Sequence, residues 1–147
     1  MKHIYITDPC YLISDDDWGS LLRKADKEKT PEAWGKTFDK GVTDFLRNKF
    51  KDKKAIAGST GFGDWVNSIN GHEFSADSGM VCVCEVTPEL KAYLKENDII
   101  INPLCVAGMR VHEDTEYEID QTKPSWSLVK IKTPRHLYVS EQMEDEE

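Results

Sequence analysis

Three short segments carry the residues best suited to chemistry. Asp8-Pro9-Cys10-Tyr11 gathers a carboxylate, a thiol and a phenol within four positions. In such a setting Asp8 either orients a ligand or accepts hydrogen bonds from the backbone amides that follow it, as an Asx-turn. Cys10 becomes a nucleophile if a helix N-terminus or a histidine lowers its pKa. The three aspartates at 15–17 act the other way, because nearby negative charge favours the protonated thiol. Asp77-Ser78-Gly79 is tight-turn chemistry that exposes a carboxylate and lets a ligand approach the backbone. The run Gly58–Gly63 (GSTGFG) has no Lys-Ser/Thr to complete a phosphate loop and lacks the dinucleotide spacing. It is expected as a small-residue loop at a pocket mouth, with backbone amides that meet phosphates.

The remaining reactive side chains form no motif. Cys82 and Cys84 lie two apart on an expected strand and share a face. A zinc knuckle needs a wider Cys-x₂₋₄-Cys turn. With Cys105 in an apolar run, all three read as buried thiols. The histidines at 3, 72, 112 and 136 never fall at ligand spacing. No metal, no cofactor and no catalytic residue is therefore assigned. Trp18, Trp34, Trp65 and Trp126 read as core and pocket lining, not as a stacking series for nucleic acid.

These residues need elements to position them. Residues 3–7 alternate and are rich in β-branched and aromatic types, which predicts a strand. Asp8-Pro9 ends it, since proline cannot donate to a ladder. Ser14 caps a helix whose first turn holds Asp15, Asp16 and Asp17 and which runs to about Lys27. Thr30-Pro31 starts a second helix with an apolar stripe at Trp34, Phe38, Val42, Phe45, Leu46 and Phe50. Gly35 and Gly41 weaken it by up to about 1 kcal/mol each. Strands are expected at 55–59, 64–69 and 72–76, the last two joined by an Asn70-Gly71 type I′ turn. A near-continuous apolar run to Val86 predicts a central strand, and Thr87-Pro88-Glu89 opens a third helix to about Glu96. Further strands are expected at 98–101, 104–111, 115–120, 126–132 and 136–139. The fold class is α+β: a largely antiparallel sheet or small sandwich with two or three helices, the helices concentrated in residues 15–50. Residues 1–139 are read as a single domain and 140–147 as a disordered acidic tail.

Composition bounds the function. The 147 residues carry a formal charge of −8, which argues against direct nucleic-acid binding. The charge is uneven: residues 1–54 hold 12 basic and 10 acidic residues, while residues 55–147 hold 7 and 17. No stretch approaches the roughly 20 apolar residues of a membrane span, and the N-terminus has no secretion-signal pattern. Four cysteines without framework spacing fit reduced thiols and a cytoplasmic setting.

Ile6-Thr7-Asp8-Pro9-Cys10-Tyr11-Leu12, Asp17-Trp18 and Ala76-Asp77-Ser78-Gly79-Met80 together resemble small phage and prophage proteins of unassigned activity. Those carry an Asp-Pro-Cys-Tyr…Trp opening, a Gly-Asp-Gly-like central loop and an Asp-Ser/Ala-Gly segment before an apolar strand. The central segment here, Gly61-Phe62-Gly63-Asp64, departs from the pattern. The resemblance covers roughly residues 4–18 and 58–86. It implies a phage accessory protein of the counter-defence type, and no reaction. The leading expectation is a non-enzymatic protein that sequesters a small ligand of nucleotide type or occupies a host protein. Its pocket would draw on Asp8, Cys10, Tyr11, Phe62, Trp65 and Asp77, and self-association is open. One alternative is a small hydrolase acting on a nucleotide-like substrate and using Asp8, Asp77 and a histidine, with or without a metal, or Cys10 as nucleophile. Another is an acidic nucleic-acid mimic acting through Glu113, Asp114, Glu116, Glu118, Asp120 and the tail against a host DNA-binding enzyme.

Overall fold

Alternation in the first strand sets the plan of the molecule. The computed structural model describes residues 1–60, 65–120, 129–133 and 136–142. In β1 (Lys2–Thr7), Ile4 and Ile6 point to one side and Tyr5 to the other. β1 lies inside a four-stranded antiparallel sheet with β2 (Ile56–Ser59), β5 (Met80–Glu85) and β6 (Ala107–Val111), in the order β2-β5-β1-β6.

Both faces of this sheet are covered, which explains why residues 80–84 are apolar without interruption. Met80, Cys82 and Cys84 face the helices: α1 (Asp15–Ala25), α2 (Pro31–Lys49) and α3 (Pro88–Glu96). Phe38, Val42, Leu46 and Phe50 meet them from the second helix and its C-cap, as the stripe requires. Trp18 and Trp34 pack against Phe38. Val81 and Val83 face a second core with Ile69 and Phe74 from the hairpin β3 (Trp65–Ile69) and β4 (His72–Ala76). Val129 and Ile131 of β8 (Val129–Lys132) complete it; this strand pairs with β7 (Glu116–Ile119) and β9 (Leu137–Val139). The fold is α+β, with antiparallel sheets.

Local signals operate as expected. Ser14, Thr30 and Thr87 each accept the N–H three residues on, capping the three helices. Thr87 also donates its hydroxyl to the Phe50 carbonyl at 2.6 Å, so one side chain opens the third helix and finishes the second. Asn70 and Gly71 take φ of 48° and 78°, the type I′ turn.

The free edge of β2 is closed by side chains. Thr43 Oγ1 accepts the Ala57 N–H at 3.1 Å and donates to the Ala57 carbonyl at 3.2 Å. Arg47 Nε donates to the Ala55 carbonyl at 2.7 Å. Asp39 accepts from the Ser59 hydroxyl at 2.9 Å. The second helix thus blocks an edge that would otherwise offer unpaired backbone to another chain.

Three expectations change. Residues 98–106 form turns and not strands: Asp98 has φ of 53°, and the Cys105 and Val106 amides both bond the Asn102 carbonyl. Gly58 and Ser59 belong to β2, in the strand expected at 55–59 and not in the loop expected from 58, of which residues 61–63 lie outside the described residues. Residues 140–142 belong to the body: Ser140 is buried, and β10 (Glu141–Gln142) pairs with Ser68 and Asn67. Residues 143–147 lie outside the described residues. Among the described residues, no helix is long and apolar enough to cross a membrane.

Candidate functional site

The Asp8 segment and the Asp77 turn, 70 residues apart in sequence, meet at the end of the central sheet. Asp8 sits one residue past β1 because Pro9 stops the ladder. Its N–H bonds the Ser75 carbonyl at 2.9 Å, which ties the ends of β1 and β4 together. The Asp8 side chain is fully buried. Its Oδ1 accepts the Cys10 N–H at 2.9 Å, the Asx-turn expected of it. Its Oδ2 accepts the Ser78 N–H, and the Ser78 hydroxyl lies 2.7 and 2.8 Å from the two oxygens. Gly79, at φ of 76°, lets the chain turn tightly enough to bring both Ser78 donors onto one carboxylate. The Gly79 carbonyl then accepts the Thr60 N–H at 2.8 Å.

This arrangement reassigns Asp8. A carboxylate with no exposed surface, already holding three donors, serves the chain's own backbone. Its partner Ser78 was legible only as a neighbour of Asp77 in the same motif. A hydroxyl and an amide from one residue can satisfy a buried carboxylate, whereas Asp77 itself points to solvent.

Cys10 is half-buried. Burial, followed by the Asp8 charge and a hydrogen bond to Asp8, pushes its thiol far above the ordinary cysteine range. Only the thiolate is nucleophilic, so this environment opposes nucleophilic catalysis. Tyr11 is half-buried, with its hydroxyl hydrogen-bonded to Cys105. Burial and that bond raise its pKa too. Cys105 is half-buried in a turn and not inside a strand. Its carbonyl accepts the Ser75 N–H at 2.8 Å and the Thr7 hydroxyl at 3.1 Å. Where its apolar run predicts a buried thiol, Cys105 instead bridges two strand ends through its carbonyl.

The structure therefore gathers Asp8, Cys10, Tyr11 and Asp77. Register places the Trp65 backbone opposite Ala76, beside Asp77. Phe62 lies outside the described residues. A histidine does not join the cluster from its own hairpin: His72 begins the strand that ends at Ala76, roughly 13 Å away at about 3.3 Å per residue. The Ser59 amide faces the Asp39 carboxylate at 3.4 Å, so it is not free to meet a phosphate. Among the described residues, no group of three His, Cys, Asp or Glu side chains converges to hold a metal ion.

The acidic row is also altered by its neighbours. Glu118 lies 3.5 Å from Lys132, and Asp120 lies 3.7 Å from Lys130. Cross-strand lysines thus offset the charge that a nucleic-acid mimic would need to present. Comparison of the chain with protein-family models, with curated proteins and with solved structures finds no match.

Proposed function

We propose that the chain is a non-enzymatic binding protein of phage accessory type that sequesters a small nucleotide-like ligand in the host cytoplasm. The observation that carries this reading is the internal use of the reactive groups. The Asp8 carboxylate is saturated by Cys10 and Ser78, and the Cys10 thiol is held protonated beside it. The two groups a hydrolase would need work instead as a brace. The brace has Tyr11 and Asp77 beside it, one a half-buried aromatic ring and the other a solvent-facing acceptor for hydroxyl or amino groups.

The test is a thermal-shift screen of linear and cyclic nucleotides, with calorimetry on each hit. The expected result is a stabilising ligand that is recovered intact after denaturation and whose binding weakens in Tyr11→Ala and Asp77→Ala. Conversion of the ligand to a product that is lost in Cys10→Ala overturns the proposal in favour of catalysis. No shift across the panel removes the nucleotide ligand.

A further inference from the structure

A cleft of about 610 Å³ lies at the opposite end of β1 from Asp8, between the end of β6 and the turn joining β8 to β9. That volume falls within the roughly 300–1,000 Å³ range of small-molecule sites. One wall carries Arg110 and His112; the other carries Thr133, His136 and Tyr138.

The second wall is braced. The Thr133 N–H bonds the His136 carbonyl at 2.8 Å, the Thr133 hydroxyl bonds the same carbonyl at 3.1 Å, and the His136 N–H returns to that hydroxyl at 3.0 Å. The Thr133 N–H and the His136 N–H and carbonyl are thus paired between these two residues, which leaves the imidazole for other contacts. His136 and Tyr138 set their rings 6.1 Å apart and tilted by 37°. On the first wall, His112 Nδ1 accepts the Asp114 N–H at 3.2 Å. Asp114, which also lines the cleft, has its carboxylate 3.6 Å from the same Nδ1. Arg110 is exposed and makes no ion pair among the described residues. Its charge is felt nearby: burial, then Arg110 and Lys91, hold the His3 pKa below the ordinary value.

From this convergence of a free guanidinium, two imidazole rings and a tyrosine ring, on a chain of net charge −8, we infer that the cleft binds a small aryl phosphate monoester. The phosphate sits on Arg110 and His112, where a planar fork of donors matches its oxygens. The aromatic group lies against Tyr138. This site is independent of the Tyr11–Asp77 rim and uses none of its residues.

The experiment is an amide chemical-shift titration of the full chain with phenyl phosphate, run beside inorganic phosphate and neutral benzyl alcohol. The expected result is saturable shifts at residues 110–112 and 136–138. Phenyl phosphate should bind at least tenfold tighter than either comparison compound, and binding should weaken as salt is raised. Arg110→Gln should weaken it at least tenfold with an unchanged melting temperature, and Tyr11→Ala should leave it unchanged. Tyr138→Leu should bring phenyl phosphate down to the affinity of inorganic phosphate. Shifts confined to other residues, or equal affinity in Arg110→Gln, overturn the inference.

Discussion

The Asp8 brace gives the sharpest test of the reasoning. Replacing Asp8 by Asn keeps the shape and puts an NH₂ where Oδ2 now accepts the Ser78 N–H. Two donors then face each other where the buried Asp8 side chain meets the exposed Ser78. Hydrogen bonds to a charged group contribute about 1.5–3 kcal/mol each, and an unsatisfied buried donor costs about 1–3 kcal/mol. Loss of one charged bond, with the remaining ones weakened to neutral strength, puts Asp8→Asn at about 3 kcal/mol of destabilisation. Ser78→Ala removes only the hydroxyl, at 2.7–2.8 Å from the carboxylate, and should cost about 1.5 kcal/mol. Because the two residues share those bonds, the double variant should be less destabilised than the sum of the singles by about 1 kcal/mol. Urea unfolding of all four proteins at neutral pH measures the cycle, with m-values checked for constancy. A single unfolding transition should show melting lowered by about 6–12 °C in Asp8→Asn, at about 2–4 °C per kcal/mol for a chain of this size. Strict additivity, or an Asp8→Asn stability within about 0.5 kcal/mol of the parent, would refute the brace and return Asp8 to the ligand.

Other consequences follow from single groups. Thr43→Val leaves the Ala57 N–H and carbonyl unpaired and should cost about 1–3 kcal/mol; unfolding free energy and a concentration-dependent rise in light scattering both report the opened edge. Gly35→Ala sits where an added Cβ meets nothing within 4 Å, so it should stabilise by about 0.5–1 kcal/mol, read as a higher urea midpoint. Stability should fall at alkaline pH. Cys10, Cys82, Tyr11 and Tyr117 all have pKa values raised by burial, so the unfolded chain loses its protons first. Their contribution is intact below the ordinary thiol and phenol values and is lost as pH climbs above about 9–10, by about 1.4 kcal/mol per pH unit for a thiol as fully buried as Cys82. Flat melting temperatures from pH 8 to pH 10.5 would contradict this. At pH 7.5, Cys10 in the native chain should alkylate with iodoacetamide more slowly than in the urea-unfolded chain, followed by peptide mass spectrometry.

The local elements were legible because their determinants are local. Ser14, Thr30 and Thr87 cap helices through bonds to the third residue on. The Asn70-Gly71 turn needs only two residues that tolerate positive φ. Residues 98–101 misled because Ile99 and Ile101 are apolar and do pack against the helical core. Apolar character alone does not supply a strand partner, and Asp98 and Asn102 turn the chain instead.

By itself the sequence determined the caps, the turn, the apolar stripes and the two loops in which reactive residues gather. Only the tertiary structure decided what those residues do. Strand order β2-β5-β1-β6 brings Ser78 to Asp8 across 70 positions, and neither motif names the other. Burial then converts a carboxylate and a thiol from candidate reagents into a brace, since a charge removed from water must be satisfied by whatever donors the fold delivers. The cleft at Arg110 and His136 was equally hidden. Its walls come from a strand end and a turn separated by more than twenty residues, and no spacing rule links them.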